Sequence, residues 1–231
     1  MNKFVFKYSI EFIVLLTGLL LTFYIEDLNQ HRHKIELKNQ SLSRLIKNVE
    51  EDIIDHKINL SKVQFTIDYH RILRDRGLEL FNTNKDSLGY YLTAISRTST
   101  IFYANQEEYI TLRNSGYIEL IENDSLVNYL QRRHSTYVAF KKMEDKIIDY
   151  EREIVNMVNN KTGIRALGYI FFSGYDHGTY SSYNYKYPLT DVELNKIGYS
   201  ANQSRFYKPL ILGAIQNDSL LIELINREIS I

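Results

Sequence analysis

The chain has no cysteine, no tryptophan and only two prolines in 231 residues, and its formal net charge is +0. The absence of cysteine excludes a thiol nucleophile and fits either an oxidising or a reducing compartment. The balanced charge argues against a nucleic-acid partner, because no basic stripe dominates. Both prolines, Pro188 and Pro209, come late, so the preceding stretch can form long helices.

Recognisable catalytic and metal-binding motifs are also missing. The sequence contains no GxSxG elbow, no SxxK pair, no phosphate-binding glycine loop, no HExxH motif and no EF-hand loop. Its histidines are scattered, as in Asp55-His56 and Asp176-His177, and His134 falls on the apolar line of a predicted helix. We expect His134 to be a hydrogen-bonded core residue, and we expect no enzyme, no metal site and no cofactor.

A long apolar run lies near the start of the chain. Residues 8–25 read YSIEFIVLLTGLLLTFYI, with Glu11 as the only charged residue. As a helix this run is about 27 Å long, close to the hydrocarbon thickness of a bilayer. The alternative, a cleaved signal peptide, needs a small-residue cleavage site, whereas bulky and then acidic residues follow. The sequence therefore predicts an uncleaved transmembrane anchor over residues 8–25.

The charges beside the anchor predict its orientation. Lys3 and Lys7 precede it, and Glu26 and Asp27 follow directly, although further basic residues come soon afterwards. The positive-inside rule then favours a short cytoplasmic tail at 1–7 and an extracytoplasmic domain over 26–231.

Helical periodicity dominates that domain. Apolar residues in 28–80 recur at spacings of three, four and seven, which predicts an amphipathic helix, or two, leaving the membrane without a break. Arg76-Gly77 and the segment 82–84 are typical of a turn. Asp86 or Ser87 can then cap a short helix.

Local stop and start signals divide the middle of the chain. A helix over about 105–114 is expected to stop at Gly116, which suits a left-handed cap. The cluster Asn123-Asp124-Ser125 is typical of a helix start and predicts a long helix to about residue 160.

The last third of the chain changes in texture. Residues 168–188 read as an irregular, tyrosine-rich loop or hairpin, and a final helical region over 191–230 is expected to be interrupted near Pro209 and capped afresh at 217–219. The predicted fold is all-α: a transmembrane helix followed by an elongated helical bundle with one tyrosine-rich irregular loop.

The tyrosine-rich loop is the best candidate for partner binding. Tyrosine gives a large amphipathic contact area at a low entropic cost. Because Tyr183, Tyr185 and Tyr187 alternate, an extended backbone would place all three on one face. The alternative is a loop whose rings close the end of the bundle. The candidate contact residues are Tyr175, Tyr180, Tyr183, Tyr185 and Tyr187.

Glu11 is a second candidate, because an ionisable group inside a membrane span suggests a functional site. It lies one turn inside the span, where its side chain can reach the interface and pair with Lys7. The interfacial role is the favoured interpretation, while contact with a partner or proton-coupled work remains open. Gly18 and Thr22 form one small-residue pair that could assist helix packing.

The anchor resembles the opening of a family of uncharacterised single-span proteins from certain Gram-negative bacteria. That opening is Gly-Glu, an aliphatic run with a central Gly, and then Ile-Asn-Asn-Trp-Asn-Glu. In residues 10–30, IEFIVLLTGLLLTFYIEDLNQ, the positions that match in register are Glu11, Gly18, Ile25 and Asn29. The departures are Ile10, Leu28 and the acidic pair at 26–27.

A second stretch carries the same resemblance. Residues 111–137 match that family's segment of a polar residue, Asn/Ser-Ser-Gly, an aliphatic pair, a cap and a helix ending near a tyrosine. The matching helix-stop residues are Asn114, Ser115 and Gly116. The resemblance implies a bacterial inner-membrane anchor with a helical extracytoplasmic domain, and it implies no activity.

These observations favour a non-enzymatic, membrane-anchored interaction protein, either a scaffold or an accessory subunit of a cell-envelope complex, that binds a protein partner or forms a homo-oligomer. One alternative is a periplasmic ligand-sensing bundle that signals through a separate partner. Another is an energised subunit that uses Glu11.

Overall fold

The computed structural model describes residues 2–96, 101–172 and 175–230, with side chains over 6–96, 101–162 and 182–230. The described residues form α-helices, one short 3₁₀ helix and a two-stranded sheet, so the all-α prediction is confirmed. In chain order the elements are α1 (Asn2–Thr83), α2 (Lys85–Ile95), α3 (Glu107–Asn114), the 3₁₀ helix (Tyr117–Leu120), α4 (Asp124–Lys161), β1 (Thr162–Phe172), β2 (Tyr175–Tyr183) and α5 (Asp191–Ile229).

Helix α1 is a single element of 82 residues that runs from the apolar segment into the domain. The continuity of the helix beyond residue 25 is confirmed, but no turn forms at Arg76-Gly77. Nη2 of Arg76 donates to Oε1 of Glu79 at 2.9 Å, an i,i+3 pair that forms on a continuous helix. The break comes at Asn84, which confirms the turn predicted over 82–84; the Asn84 side chain accepts the Ser87 amide and caps α2 in place of the predicted Asp86 or Ser87.

The first part of α1 is apolar and uncovered. Its large apolar side chains between Phe6 and Ile25 are 45% to 74% exposed. In the described chain this is one N-terminal helix that is long and apolar enough to cross a membrane.

The predicted stop and start signals flank the 3₁₀ helix. Gly116 has a φ of +75°, the left-handed conformation that favours glycine. Before it, the Ser115 hydroxyl donates to the Thr111 carbonyl at 2.7 Å. After the 3₁₀ helix, the Asn123 side chain accepts the Ser125 and Leu126 amides and starts α4. Both local predictions are confirmed.

Helix α5 is uninterrupted, so the break expected at Pro209 is wrong. A proline inside a helix removes one backbone hydrogen bond. Here Tyr207 and Ile211 on either side are fully buried and anchor both flanks in the core. The second cap does not form, because the Asp218 carboxylate pairs with Arg133 on α4 instead.

Helices α1 and α5 lie antiparallel. At the end near the apolar segment, Lys38 Nζ on α1 donates to Glu228 Oε1 on α5 at 2.6 Å, and both side chains are buried. At the distal end, His70 on α1 faces Gly198 on α5. Helix α4 packs beside α5, and α2 packs on the distal part of α1. The core lies between these helices in successive clusters, centred on Leu45, Tyr207 and Leu73.

The tyrosine-rich segment forms an irregular hairpin, which is the second of its two predicted forms. Strands β1 and β2 form an antiparallel hairpin, with Thr162 opposite Tyr183 and Phe172 opposite Tyr175, and the register shifts along it. After β2, the Asn184 amide donates to the Lys161 carbonyl at 2.9 Å and ties the chain to the end of α4.

Candidate functional site

A cluster of buried polar side chains lies where α1, α4 and α5 meet. Asp52 and His56 stand one turn apart on α1, and relative exposures of 3% and 1% place both in the core. Helix α4 contributes Arg133 and α5 contributes Asp218, which is also buried. Charged side chains are rarely buried unless they are paired, so the pairing decides what the cluster can do.

A single guanidinium joins the two carboxylates. Nη2 of Arg133 donates a short hydrogen bond to Oδ2 of Asp52, and Nε donates to Oδ1 of Asp218 at 2.9 Å. Oδ1 of Asp52 also accepts the Asn105 amide at 3.4 Å, which ties the segment before α3 to the cluster. The arrangement connects three helices through one side chain.

The charges in this bridge do not balance. Two carboxylates share one cation in a buried place, and excess charge there is costly. Burial raises the pKa of Asp52 to about 6, against the opposing effect of Arg133. Burial also raises the pKa of Asp218. The cluster therefore binds a proton more readily than two exposed aspartates would.

His56 forms the aromatic side of the cluster. Its ring stacks on Phe102 with centroids 3.9 Å apart and rings inclined by 24°, and it contacts Phe140 at 5.2 Å. Burial, assisted by Arg133, lowers the pKa of His56 to about 4, so the ring is neutral at physiological pH. Its Nδ1 is buried and has no hydrogen-bond partner in the described part of the protein.

A cavity of about 40 Å³ opens against this cluster. Its walls include the aromatic rings of Phe102, Tyr137 and Phe140 and the polar groups of His56, Arg133 and Asp218. One ordered water needs about 10–15 Å³ of such space, so the cavity has room for a few waters or a small polar group. These aromatic stacking surfaces suit non-covalent binding.

A further buried carboxylate, that of Glu144 on α4, holds one wall of the cavity in place. Oε1 of Glu144 accepts the Phe102 amide and the Tyr207 hydroxyl, each at 2.6 Å. Burial raises the pKa of Glu144 despite these bonds. The carboxylate thereby fixes the Phe102 segment to α4 and α5.

Among the predicted tyrosines, Tyr183 lies in the core. It is fully buried, its ring meets Phe81 edge-on at 5.8 Å, and its hydroxyl donates to the Tyr187 carbonyl at 2.7 Å. The expectation that Tyr183, Tyr185 and Tyr187 share one face is therefore wrong. Strand β2 ends at Tyr183, so the alternation of an extended strand does not continue. The side chains of Tyr175 and Tyr180 lie outside the described residues.

Tyr185 and Tyr187 form an exposed aromatic pair at the distal end, and we call them the distal tyrosine pair. They are 40% and 54% exposed, and their rings meet at 5.7 Å. Nζ of Lys161 lies 4.3 Å from the Tyr185 ring and pairs with Glu193 at 2.8 Å. Lys161 therefore holds the Tyr185 ring of the pair in place. Partner binding by the distal tyrosine pair stays a prediction.

The candidates in the anchor lie on the exposed part of α1. Lys7 Nζ and Glu11 Oε1 are 3.9 Å apart at i,i+4. Gly18 has open space where a Cβ would be, and its carbonyl accepts the Thr22 hydroxyl at 3.0 Å. Asn29, from the family pattern, is exposed on the same helix. Within the described residues, no group of His, Asp and Glu side chains could hold a metal ion.

The sequence did not indicate a site at Asp52, Arg133 or Asp218, and Asp218 was predicted only as part of the helix cap at 217–219. A signal existed, since Arg133 lies between Leu130 and Tyr137 on the apolar line of α4, where a charged residue needs a partner.

No protein family model, curated protein or solved structure matches this chain. The structure defines an all-α protein in which the described residues include one N-terminal helix long and apolar enough to cross a membrane.

Proposed function

We propose that this is a non-enzymatic, membrane-anchored interaction protein, a scaffold or an accessory subunit of a bacterial cell-envelope complex. It is a single-pass protein of the inner membrane, with a cytoplasmic N-terminus and the domain on the periplasmic side. The observation that carries the proposal is α1, whose exposed apolar segment continues without a break into the helix that supports the whole domain. Such a protein holds its domain at the membrane surface, where partners can bind it.

The distal tyrosine pair is the proposed contact for a protein partner. Both rings are exposed. Nζ of Lys161, which pairs with Glu193, lies 4.3 Å from the Tyr185 ring, and the Tyr187 ring packs against Tyr185 with Nζ of Lys186 at 4.7 Å, so these contacts reduce the conformational freedom that the rings would lose on binding. Exposed tyrosines on a firm support are typical of binding surfaces.

The cavity beside His56 favours a second candidate function, a ligand-sensing bundle that signals through a separate partner. Two of the residues in the buried cluster, Asp52 and His56, lie on α1, the helix that also enters the membrane. Occupation of the cavity would therefore act directly on the anchor helix. An energised role for Glu11 receives no such support, because its contact with Lys7 suits the interfacial role.

A pull-down of the tagged full-length protein from its native membrane in gentle detergent tests the first proposal. Mass spectrometry should identify a stoichiometric partner that is lost from the Tyr185→Ala/Tyr187→Ala variant. Tyr183 stays unchanged, because its burial makes it a folding residue. The matched control is Tyr103→Ala, which removes a tyrosine that is 73% exposed elsewhere in the domain.

Recovery of no other protein would contradict the partner proposal, and equal loss from the control variant would contradict the assigned surface. The sensing candidate is tested by a small-molecule screen read as melting temperature, because a ligand that binds only the folded protein raises it. A stabilising compound should lose its effect when Phe102→Ala removes the ring that stacks on His56.

A further inference from the structure

Helix α5 carries a regular line of apolar residues on its surface. Val192, Tyr199, Phe206, Gly213 and Leu220 follow one another at seven-residue intervals, and we call this line the α5 stripe. Its four side chains, in that order, are 67%, 58%, 66% and 37% exposed. The stripe extends over about 42 Å of helix.

The α5 stripe lies on the side of the helix that faces away from the core. The buried residues of α5 include Ile197, Ser204 and Ile211, each two positions before a stripe residue and so about 200° away around the helix. Within the described chain, Tyr199 stacks on Tyr150 at 6.3 Å and still stays more than half exposed. A regular apolar line on a solvent-facing surface indicates a partner helix.

Gly213 adds an independent observation. Glycine weakens a helix interior relative to alanine, and a Cβ at Gly213 would meet no described atom of this chain within 4 Å. The packing of the single chain thus gives no reason for a glycine here. Its place in the stripe permits a second helix to approach the backbone closely.

The membrane anchor restricts the relative orientation of two copies. Every copy enters the membrane through the start of α1, and α5 lies antiparallel beside α1. Two tethered copies related by a two-fold axis along the membrane normal therefore bring their α5 helices together in parallel and in register. Each stripe residue then meets its own counterpart.

The charges at the start of the stripe fit this arrangement. Asp191 precedes Val192 directly and Lys196 follows it by four positions, and both are exposed. In a parallel helix pair these are the flanking positions that face each other across the interface. Asp191 of one copy then lies near Lys196 of the second. Within one copy, Nζ of Lys196 lies 3.5 Å from Oε2 of Glu153.

We propose that the α5 stripe is the surface through which two copies of this chain form a parallel homodimer in the membrane. A fully buried Tyr or Phe covers about 150–250 Å². Tyr199 and Phe206 are 58% and 66% exposed, so their four rings would remove about 500 Å² from water. Freely diffusing partners usually bury about 1,200–2,000 Å². The membrane tether supplies the missing stability through a high effective concentration.

Cysteine cross-linking of the full-length protein in its native membrane tests this inference. Because the natural chain has no cysteine, the variants Tyr199→Cys and Phe206→Cys each carry one thiol. Mild oxidation should shift most of each variant to the size of a disulfide-linked dimer. The matched control is Ile54→Cys, at a position 59% exposed on α1, which should stay monomeric.

A second variant distinguishes loss of the dimer interface from misfolding of the chain. Phe206→Asp in the Tyr199→Cys background should abolish the dimer band, because two carboxylates would then face each other across the interface, while circular dichroism should show an unchanged helical content, since Phe206 is 66% exposed. Cross-linking that survives Phe206→Asp, equals that of Ile54→Cys, or is absent at both stripe positions would overturn the inference.

The inference rests on the proposed function only through the membrane anchor, and the two can fail separately. A different protein recovered through the distal tyrosine pair, with no cross-linking at the stripe, would overturn the homodimer alone. Stripe cross-linking without any recovered partner would support the homodimer and contradict the partner proposal.

Discussion

Replacing Arg133 with methionine should strongly destabilise the fold, because it leaves two buried carboxylates without their shared cation. Asp52 and Asp218 are 3% and 4% exposed, and both pair with this guanidinium. Breaking a buried ion pair from one side costs about 3–5 kcal/mol. For a chain of this size that corresponds to a fall of about 6–20 °C in melting temperature.

The difference in melting temperature between the natural protein and the Arg133→Met variant should decrease as the pH falls. Asp52 has a pKa of about 6 in the folded protein, above its unfolded value, so the folded state binds the proton more readily and protonation on acidification favours folding. Without Arg133 the pKa values of Asp52 and Asp218 rise further, and the variant gains more from each proton than the natural protein does. The difference in melting temperature between the two proteins is therefore largest at neutral pH and smaller near about pH 5.

His56 also makes the difference in melting temperature between the two proteins smaller at acidic pH. Its folded pKa of about 4 lies below the unfolded value, so the natural protein loses stability as the pH falls through the interval between them. Arg133 is one cause of that lowered pKa. In the Arg133→Met variant a protonated His56 can partly replace the lost cation.

The assay is thermal unfolding of the full-length protein in detergent, followed by far-ultraviolet circular dichroism at neutral and mildly acidic pH. Arg132→Met is the matched control, since the neighbouring arginine is exposed and its loss should change stability by less than about 0.5 kcal/mol. Equal melting of the two variants at neutral pH, or a deficit that does not change with pH, would refute the reasoning.

The remaining predictions use the same melting assay. Gly116→Ala should lower the free energy of unfolding by about 1–2 kcal/mol, because Gly116 has a left-handed φ. Gly77→Ala in α1, where a Cβ meets no described atom, should raise it by about 0.5–1 kcal/mol. Changes of the same sign in the two variants would contradict the helix assignment. Tyr183→Phe should cost about 1 kcal/mol through its lost hydrogen bond, and no loss would argue against that bond. Lys38→Met should cost about 3 kcal/mol by leaving Glu228 buried without a cation. The amides of Glu122 and Asn123 also donate to this carboxylate, at 3.1 and 3.2 Å, and a neutral result would show that these two bonds suffice.

Features set by neighbouring residues were predictable from the sequence. The stop at Gly116 and the cap at Asn123 each involve groups within a few residues, so the local pattern carries the whole interaction. The continuity of α1 from the span into the domain followed in the same way from an unbroken periodicity without proline.

Features set by distant contacts were not predictable. Pro209 reads as a helix break, but the buried side chains of Tyr207 and Ile211 hold both flanks of α5 in the core. The bridge between Asp52, Arg133 and Asp218 joins three helices that are far apart in sequence. Their pairing depends on how α1, α4 and α5 are aligned, which no local pattern specifies.

The unbroken α1 gives the protein the mechanics of a rigid lever. Its part beyond the apolar segment contains 58 of the 82 residues, from 26 to 83, and is about 87 Å long. A tilt of about 10° of the apolar segment would thus displace the far end by about 15 Å. That end carries the hairpin and the distal tyrosine pair, so small changes in the tilt of the apolar segment become large movements where the rings are exposed.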